Sequence, residues 1–204
     1  VEEVKMGLMA AIVALVMLAG VVAYFITIYN RLVALKHNVG KSWSNIDVLL
    51  KQRHDELPKL VDTARQYMGY EQETLRQVIE ARNQVEEARQ DGNTKQVGKA
   101  EEQLRGGLGR FFALAEDYPD LKADESFKQL QSRISELEDQ IADRREFYNE
   151  SVNNNNIRIE QFPDVLIASR LNFKAFDLLE FEEADKQDHD LSSLFGGQAG
   201  PDQA

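Results

Sequence analysis

The sequence has no cysteine, and its 204 residues include only three histidines, four prolines and one tryptophan. Without thiols there are no disulfide frameworks, thiolate nucleophiles, cysteine-zinc sites or lipoprotein anchor. The redox compartment stays open, because a cysteine-free chain suits either side of a membrane. Cations are also scarce: 24 Lys and Arg face 35 Asp and Glu, for a net charge of −11. That balance excludes a general nucleic-acid binder, whose phosphate contacts need clustered Lys and Arg.

Catalytic signatures are missing as well. A di-metal carboxylate site in a helical bundle needs Glu-x-x-His, but Ala34, Lys51 and Lys186 stand three before the histidines. There is no H-E-x-x-H, EF-hand loop or P-loop. His54, in Arg-His-Asp-Glu, reads as a structural or surface residue. Gly106, Gly107 and Gly109 lack the strand before and the Lys-Ser/Thr after that a phosphate loop requires. They read as a close helix–helix approach or a helix break. No catalytic residue, metal ligand or cofactor is expected.

What is present is, first, a charge-free run from Met6 to Ile28, MGLMAAIVALVMLAGVVAYFITI. Its 23 residues would span roughly 34 Å as a helix, enough to cross a bilayer's hydrocarbon core. A cleaved signal peptide would have a shorter apolar region and a basic start. Here the chain opens Val-Glu-Glu-Val-Lys, so an uncleaved transmembrane helix is expected. Tyr24 and Tyr29 suit its far interface. Lys5 alone precedes the run, whereas Arg31, Lys36, Lys41, Lys51 and Arg53 follow it. The positive-inside bias therefore puts the N-terminus outside and the rest of the chain in the cytoplasm.

The remainder is patterned for helices. Leu32, Leu35, Val39, Trp43, Ile46, Leu50, Leu57, Leu60, Ala64 and Tyr67 form a coiled-coil-like stripe, with Arg53 filling its one gap. The phase continues across Pro58, which predicts a kink within one long helix, with Gly69 as its C-cap. A second helix fits Glu71 to Arg89. A third, capped by Asn93 or Thr94, runs to about Tyr118. A fourth starts at Asp124 as N-cap and carries Phe127, Leu130, Ile134, Leu137, Ile141, Tyr148 and Val152 until Phe162-Pro163 closes it. Short connections imply antiparallel neighbours. The expected fold is all-α: an N-terminal transmembrane helix continuing into an antiparallel four-helix bundle with long first and last helices.

This divides the chain into a short tail (1–5), the transmembrane helix (6–28), the bundle (29–162), an apolar flank or assembly segment (163–184) and an acidic tail (185–204). In the flank, Leu166, Phe173, Phe176, Leu179 and Phe181 are too apolar to leave in water, and would pack on the bundle or against another copy. Leu191, Leu194 and Phe195 in the tail form a candidate docking triplet. Asp47, Arg53, Arg82, Arg144 and Arg145 fall on or beside apolar stripes, predicting ion pairs between helices. Asn149, Asn153 and Asn156 make a polar ladder on one helical face, expected to bond to helix ends or another subunit.

Several segments resemble the bacterial LemA family: Tyr29-Asn30-Arg31-Leu32-Val33, Trp43-Ser44-Asn45-Ile46-Asp47-Val48, Arg53 to Val61 (RHDELPKLV), Leu108 to Glu116 (LGRFFALAE), Tyr118 to Ala123 (YPDLKA), Phe147-Tyr148-Asn149 and Arg158 to Pro163 (RIEQFP). The resemblance spans roughly residues 6 to 185. It implies a single-pass inner-membrane protein with a long-helix bundle and brings no catalytic positions. The family includes a magnetosome-associated relative that looks like a membrane-organising factor, and members occur beside HtpX-like membrane proteases. Two roles are therefore expected: a membrane-anchored scaffold that self-assembles, or an adaptor of such a protease. The expected partners are the lipid bilayer, a second copy of the chain and, in the adaptor case, the protease.

Overall fold

In a computed structural model, residues 2–180 are described, and among them the structure is helical with no strand. Six helices follow in order: α1 (Glu2–Arg65), α2 (Gln72–Gln90), α3 (Thr94–Ala115), α4 (Pro119–Ala123), α5 (Glu125–Glu160) and α6 (Asp164–Arg170). The expected four long helices are all present, joined by two short ones that the apolar periodicity did not indicate.

α1 holds 64 residues in one helix, about 96 Å long at the usual rise. Its first third is exposed apolar side chain on every face, from Val4 to Ile26. This segment is long and apolar enough to cross a membrane. Burial begins at Ile28 and Leu32, then recurs at Val39, Ile46, Leu50, Arg53, Leu57, Leu60 and Ala64, following the predicted stripe.

The cross-helix pairs give the directions. Ser42 meets Ser151, Arg53 meets Glu138 and Tyr67 meets Asp124, so α5 runs antiparallel to α1. Arg89 meets Asp47 and Arg82 meets His54, so α2 is antiparallel to α1 as well. Asn93 caps α3 by accepting from the Gln96 amide at 3.1 Å, and Asp124 caps α5 by accepting from the Phe127 amide at 2.9 Å. Asp124 also accepts from the Tyr67 hydroxyl at 2.9 Å, which ties the start of α5 to the turn after α1. Gly69 lies beyond the end of α1, in the turn region.

Two apolar clusters result. The larger fills the bundle, with members from Val39 to Val152 and Leu179 of the segment after α6. The smaller joins Ile28 and Leu32 of α1 to Ile167 and Ala168 of α6, with Ile159 and Phe173 packed on it. α6 thus forms a collar on α1 where the exposed apolar segment ends.

The glycines of α3 correct the expectation drawn from the sequence. α3 passes through Gly106, Gly107 and Gly109 without a break, and a Cβ at any of them would meet nothing within 4 Å. They neither admit a neighbouring helix nor interrupt their own. The close approach is at Gly98, where a Cβ would collide with the carbonyl oxygen of Glu180.

Candidate functional site

Polar and charged residues on or beside the apolar stripes form three arrangements. The deepest is a triad. Arg53, 1% exposed, reaches Glu101 on α3 in a buried ion pair and donates to Glu138 on α5 at 2.6 Å. Arg105 approaches Glu138 at 3.6 Å from the outside. Burial opposes the charge on Arg53, but the two carboxylates outweigh it and hold the guanidinium above its ordinary value. One arginine thereby fixes three helices at one level.

The second arrangement follows from Pro58. Proline has no N–H, so the carbonyl four residues earlier, that of His54, has no helical donor. Arg82 of α2 fills that vacancy, donating from Nε to the His54 carbonyl at 2.8 Å. One heptad further along α2, Arg89 donates to Asp47 at 2.8 Å and to Glu86 at 2.7 Å. Hydrogen bonds from Arg89 pull the Glu86 carboxyl down to about 2. Burial and then the Arg82 charge hold His54 below its usual value. It is therefore neutral near pH 7, and its 4.0 Å approach to Glu86 is no ion pair there.

The third is a strap. After α6, Asn172 adopts a positive φ of 57° and turns the chain back along α5 as an extended segment. Asn156 donates to the Phe176 carbonyl at 2.9 Å and accepts from its amide at 3.0 Å. Asn149 does the same to Leu179, at 3.1 and 2.8 Å. Each carboxamide bonds the strap as the peptide group of a neighbouring strand would. The register follows from rise: seven helical residues cover about 10.5 Å and three extended ones about 10 Å. Tyr148 donates to the Asp177 carbonyl at 3.0 Å between the two clamps.

The remaining expected residues fall as follows. Phe173 is half-buried in the collar, its ring edge-on to Tyr29 at 6.2 Å. Phe176 packs on the bundle core, and Leu179 is buried in it. Leu166 is exposed on α6, and Phe181 lies outside the described residues, as do Leu191, Leu194 and Phe195. Of the predicted inter-helix ion pairs, Arg144 departs furthest. It lies exposed over the ring of Phe147 on its own helix, 5.9 Å from the centroid. Arg145 is half-buried on α5, and Asn153 is exposed. Glu101, Glu138, Glu86 and Arg89 were not singled out from sequence. Glu101 carried a usable signal, since it sits with Val97, Leu104 and Leu108 on the buried face of α3. Among the described residues no group of three or more acidic or histidine side chains is placed to hold a metal ion.

A sequence model of the LemA family matches residues 42–192. The chain belongs to the LemA family. The LemA match takes in the triad, the Pro58–Arg82 contact and the strap. The chain is similar to magnetosome protein MamQ 2 of Paramagnetospirillum magneticum, 26% identical over 193 residues, covering 80% of this chain and 70% of the relative. It is similar also to protein LemA of Metamycoplasma hominis, 28% identical over 166 residues, with 81% and 74% covered. Magnetosome protein MamQ of Magnetospirillum gryphiswaldense is 25% identical over 172 residues, with 72% and 62% covered.

Proposed function

We propose that this LemA-family protein is a non-catalytic, membrane-anchored scaffold. It sits in the bacterial inner membrane with its N-terminus outside and its bundle in the cytoplasm, where it self-assembles and holds partner proteins near the bilayer. The observation that carries this reading is α1: one unbroken helix whose first third is apolar on all sides and whose remainder is a bundle stave. Such a helix fixes the bundle to the lipid instead of merely tethering it. The interior charges support a structural role, because they join helices to one another instead of lining a cleft. Similarity to proteins named as magnetosome proteins supports work at a membrane.

Self-assembly is favoured by confinement to two dimensions, which raises the effective concentration of every copy. Phe173, Phe176 and Leu179 are engaged within their own chain, so contacts between copies fall to the anchor and the outer faces of the bundle. The test is mass measurement of the full-length protein in mild detergent, with crosslinked neighbours identified from native membranes. A species larger than one chain is expected. A monomer at micromolar concentration overturns self-assembly, and release by alkaline carbonate overturns the anchor. Recovery of a membrane protease as the crosslinked neighbour would replace the scaffold with the adaptor role.

A further inference from the structure

The collar end of the molecule carries apolar surface that nothing in the chain covers. α6 turns Ile167 and Ala168 onto α1, but leaves Leu166 57% and Leu171 53% exposed. Phe162, in the turn entering α6, is 81% exposed. Leu166 and Leu171 stand next to the lipid-compatible part of α1. An open cleft of about 420 Å³ lies between the two elements, lined by Phe25, Ile26 and Tyr29 on one side and Leu166, Leu171 and Arg170 on the other. Phe25 and Ile26 belong to the charge-free run, so Leu166 and Leu171 lie level with its last turn.

Charge at this end also differs from the rest of the chain. Arg31, Arg170 and Lys174 are exposed there, with Glu160 as the exposed acid. Asp164 is buried and ion-paired to Arg158. In a chain of net charge −11, the surface nearest the apolar segment is thus locally basic as well as apolar. That combination matches the boundary between acyl chains and anionic headgroups.

We propose that α6 and the turn before it form a foot that lies in the membrane interface, placing Phe162, Leu166 and Leu171 among the upper acyl chains and Arg31 and Arg170 at lipid phosphates. This rests on the reading of α1 as a membrane anchor. The anchor resists withdrawal from the bilayer, and the foot fixes the angle at which the rod leaves it. The asymmetry lies in having apolar contact on one side of α1 only, so the bundle leans toward α6.

The cysteine-free sequence makes the test direct, since each single cysteine introduced is a unique label site. Full-length Phe162→Cys, Leu166→Cys, Leu171→Cys, Val16→Cys and Phe147→Cys proteins are labelled with a polarity-sensitive fluorophore. Each is reconstituted into vesicles of phosphatidylcholine and phosphatidylglycerol containing shallow or deep nitroxide lipids. Labels at 162, 166 and 171 should be quenched at least twofold more by the shallow nitroxide, at a depth of about 5–10 Å. The label at 16 should favour the deep one, and the label at 147 should be quenched by neither. Water-exposed labels at 166 and 171 beside a lipid-buried label at 16 overturn the foot and spare the anchor. An aqueous label at 16 overturns the anchor itself. Labels at 166 and 171 that are shielded from water but unquenched by either lipid mean a protein occupant, and also overturn the foot.

Discussion

Arg82 of α2 donates to the His54 carbonyl that the missing N–H of Pro58 leaves without a helical donor. If Arg82 is there to supply the donor that Pro58 lacks, the two residues must be energetically coupled. Arg82→Met should cost about 1–2 kcal/mol, the usual consequence of leaving a carbonyl unsatisfied. With Pro58→Ala in the background the backbone N–H returns, and the same substitution should cost less by about 1 kcal/mol. Denaturant unfolding of the four proteins measures that coupling, and additive effects would mean that Arg82 serves something else. Arg53 obeys a different rule. Arg53→Ala strands Glu101 in the core and should cost about 3–5 kcal/mol, while Arg53→Met combined with Glu101→Leu should recover most of it in the same unfolding measurements. Recovery is favoured because, among the described residues, the second carboxylate oxygen of Glu101 has no hydrogen-bond partner even in the intact triad. Acid acts on the contact between α1 and α2. Glu86 is held at about 2 against an ordinary 4.5, so its stabilisation is complete above 4.5 and lost as pH falls toward 2. His54 is depressed below 6.5, so the unfolded chain takes up its proton first and stability falls as pH drops through 6.5. The two effects have the same sign. Glu86→Gln should flatten the lower arm of a melting-temperature profile, on the order of 1–2 kcal/mol, and His54→Gln the upper arm.

At the scale of elements, the strap shows where one-dimensional patterning stops being informative. The long helices were legible because each repeats its apolar phase over several turns, and Asn93 and Asp124 announced their caps by local chemistry. Arg53 was legible as a buried charge because it interrupts a stripe, though its partners 48 and 85 residues away were not. The asparagine ladder was visible as a ladder, but its partners are backbone groups, which no side-chain pattern encodes. α6, at seven residues, is too short to display a period. The glycines of α3 carry two opposed predictions. Gly106→Ala and Gly109→Ala fall on exposed helix with open space and should each stabilise by roughly 0.5–1 kcal/mol. Gly98→Ala, normally just as favourable in a helix, would drive its methyl into the Glu180 carbonyl and should lift the strap. Asn149→Ala should release the same stretch by removing both hydrogen bonds to Leu179, and Asn156→Ala should do so at Phe176. Hydrogen exchange at those two amides reads the effect, and unchanged protection in all three variants would deny the clamp.

Across the whole molecule, α1 serves two apolar clusters of unequal size. The bundle cluster draws on all four long helices, whereas the collar has four buried residues and depends on α1 for two of them. A structure divided this way should lose its parts separately, since a small cluster has little burial to set against the entropy of ordering α6. Leu32 and Leu57 are equally buried on the same helix, so truncating either removes the same side chain from a different cluster. Leu57→Ala should lower the stability of the bundle as a unit, by about 2–5 kcal/mol. Leu32→Ala should leave bundle amides as protected as before and speed exchange at Leu171 and Phe173, whose amides bond back to Ile167 and Ala168. The collar would then open while the bundle stays shut, making α1 a shared support and not a conduit between the two. If Leu32→Ala instead weakened the bundle as much as Leu57→Ala does, the clusters would be one cooperative unit, and the collar could not move without unfolding the bundle below it.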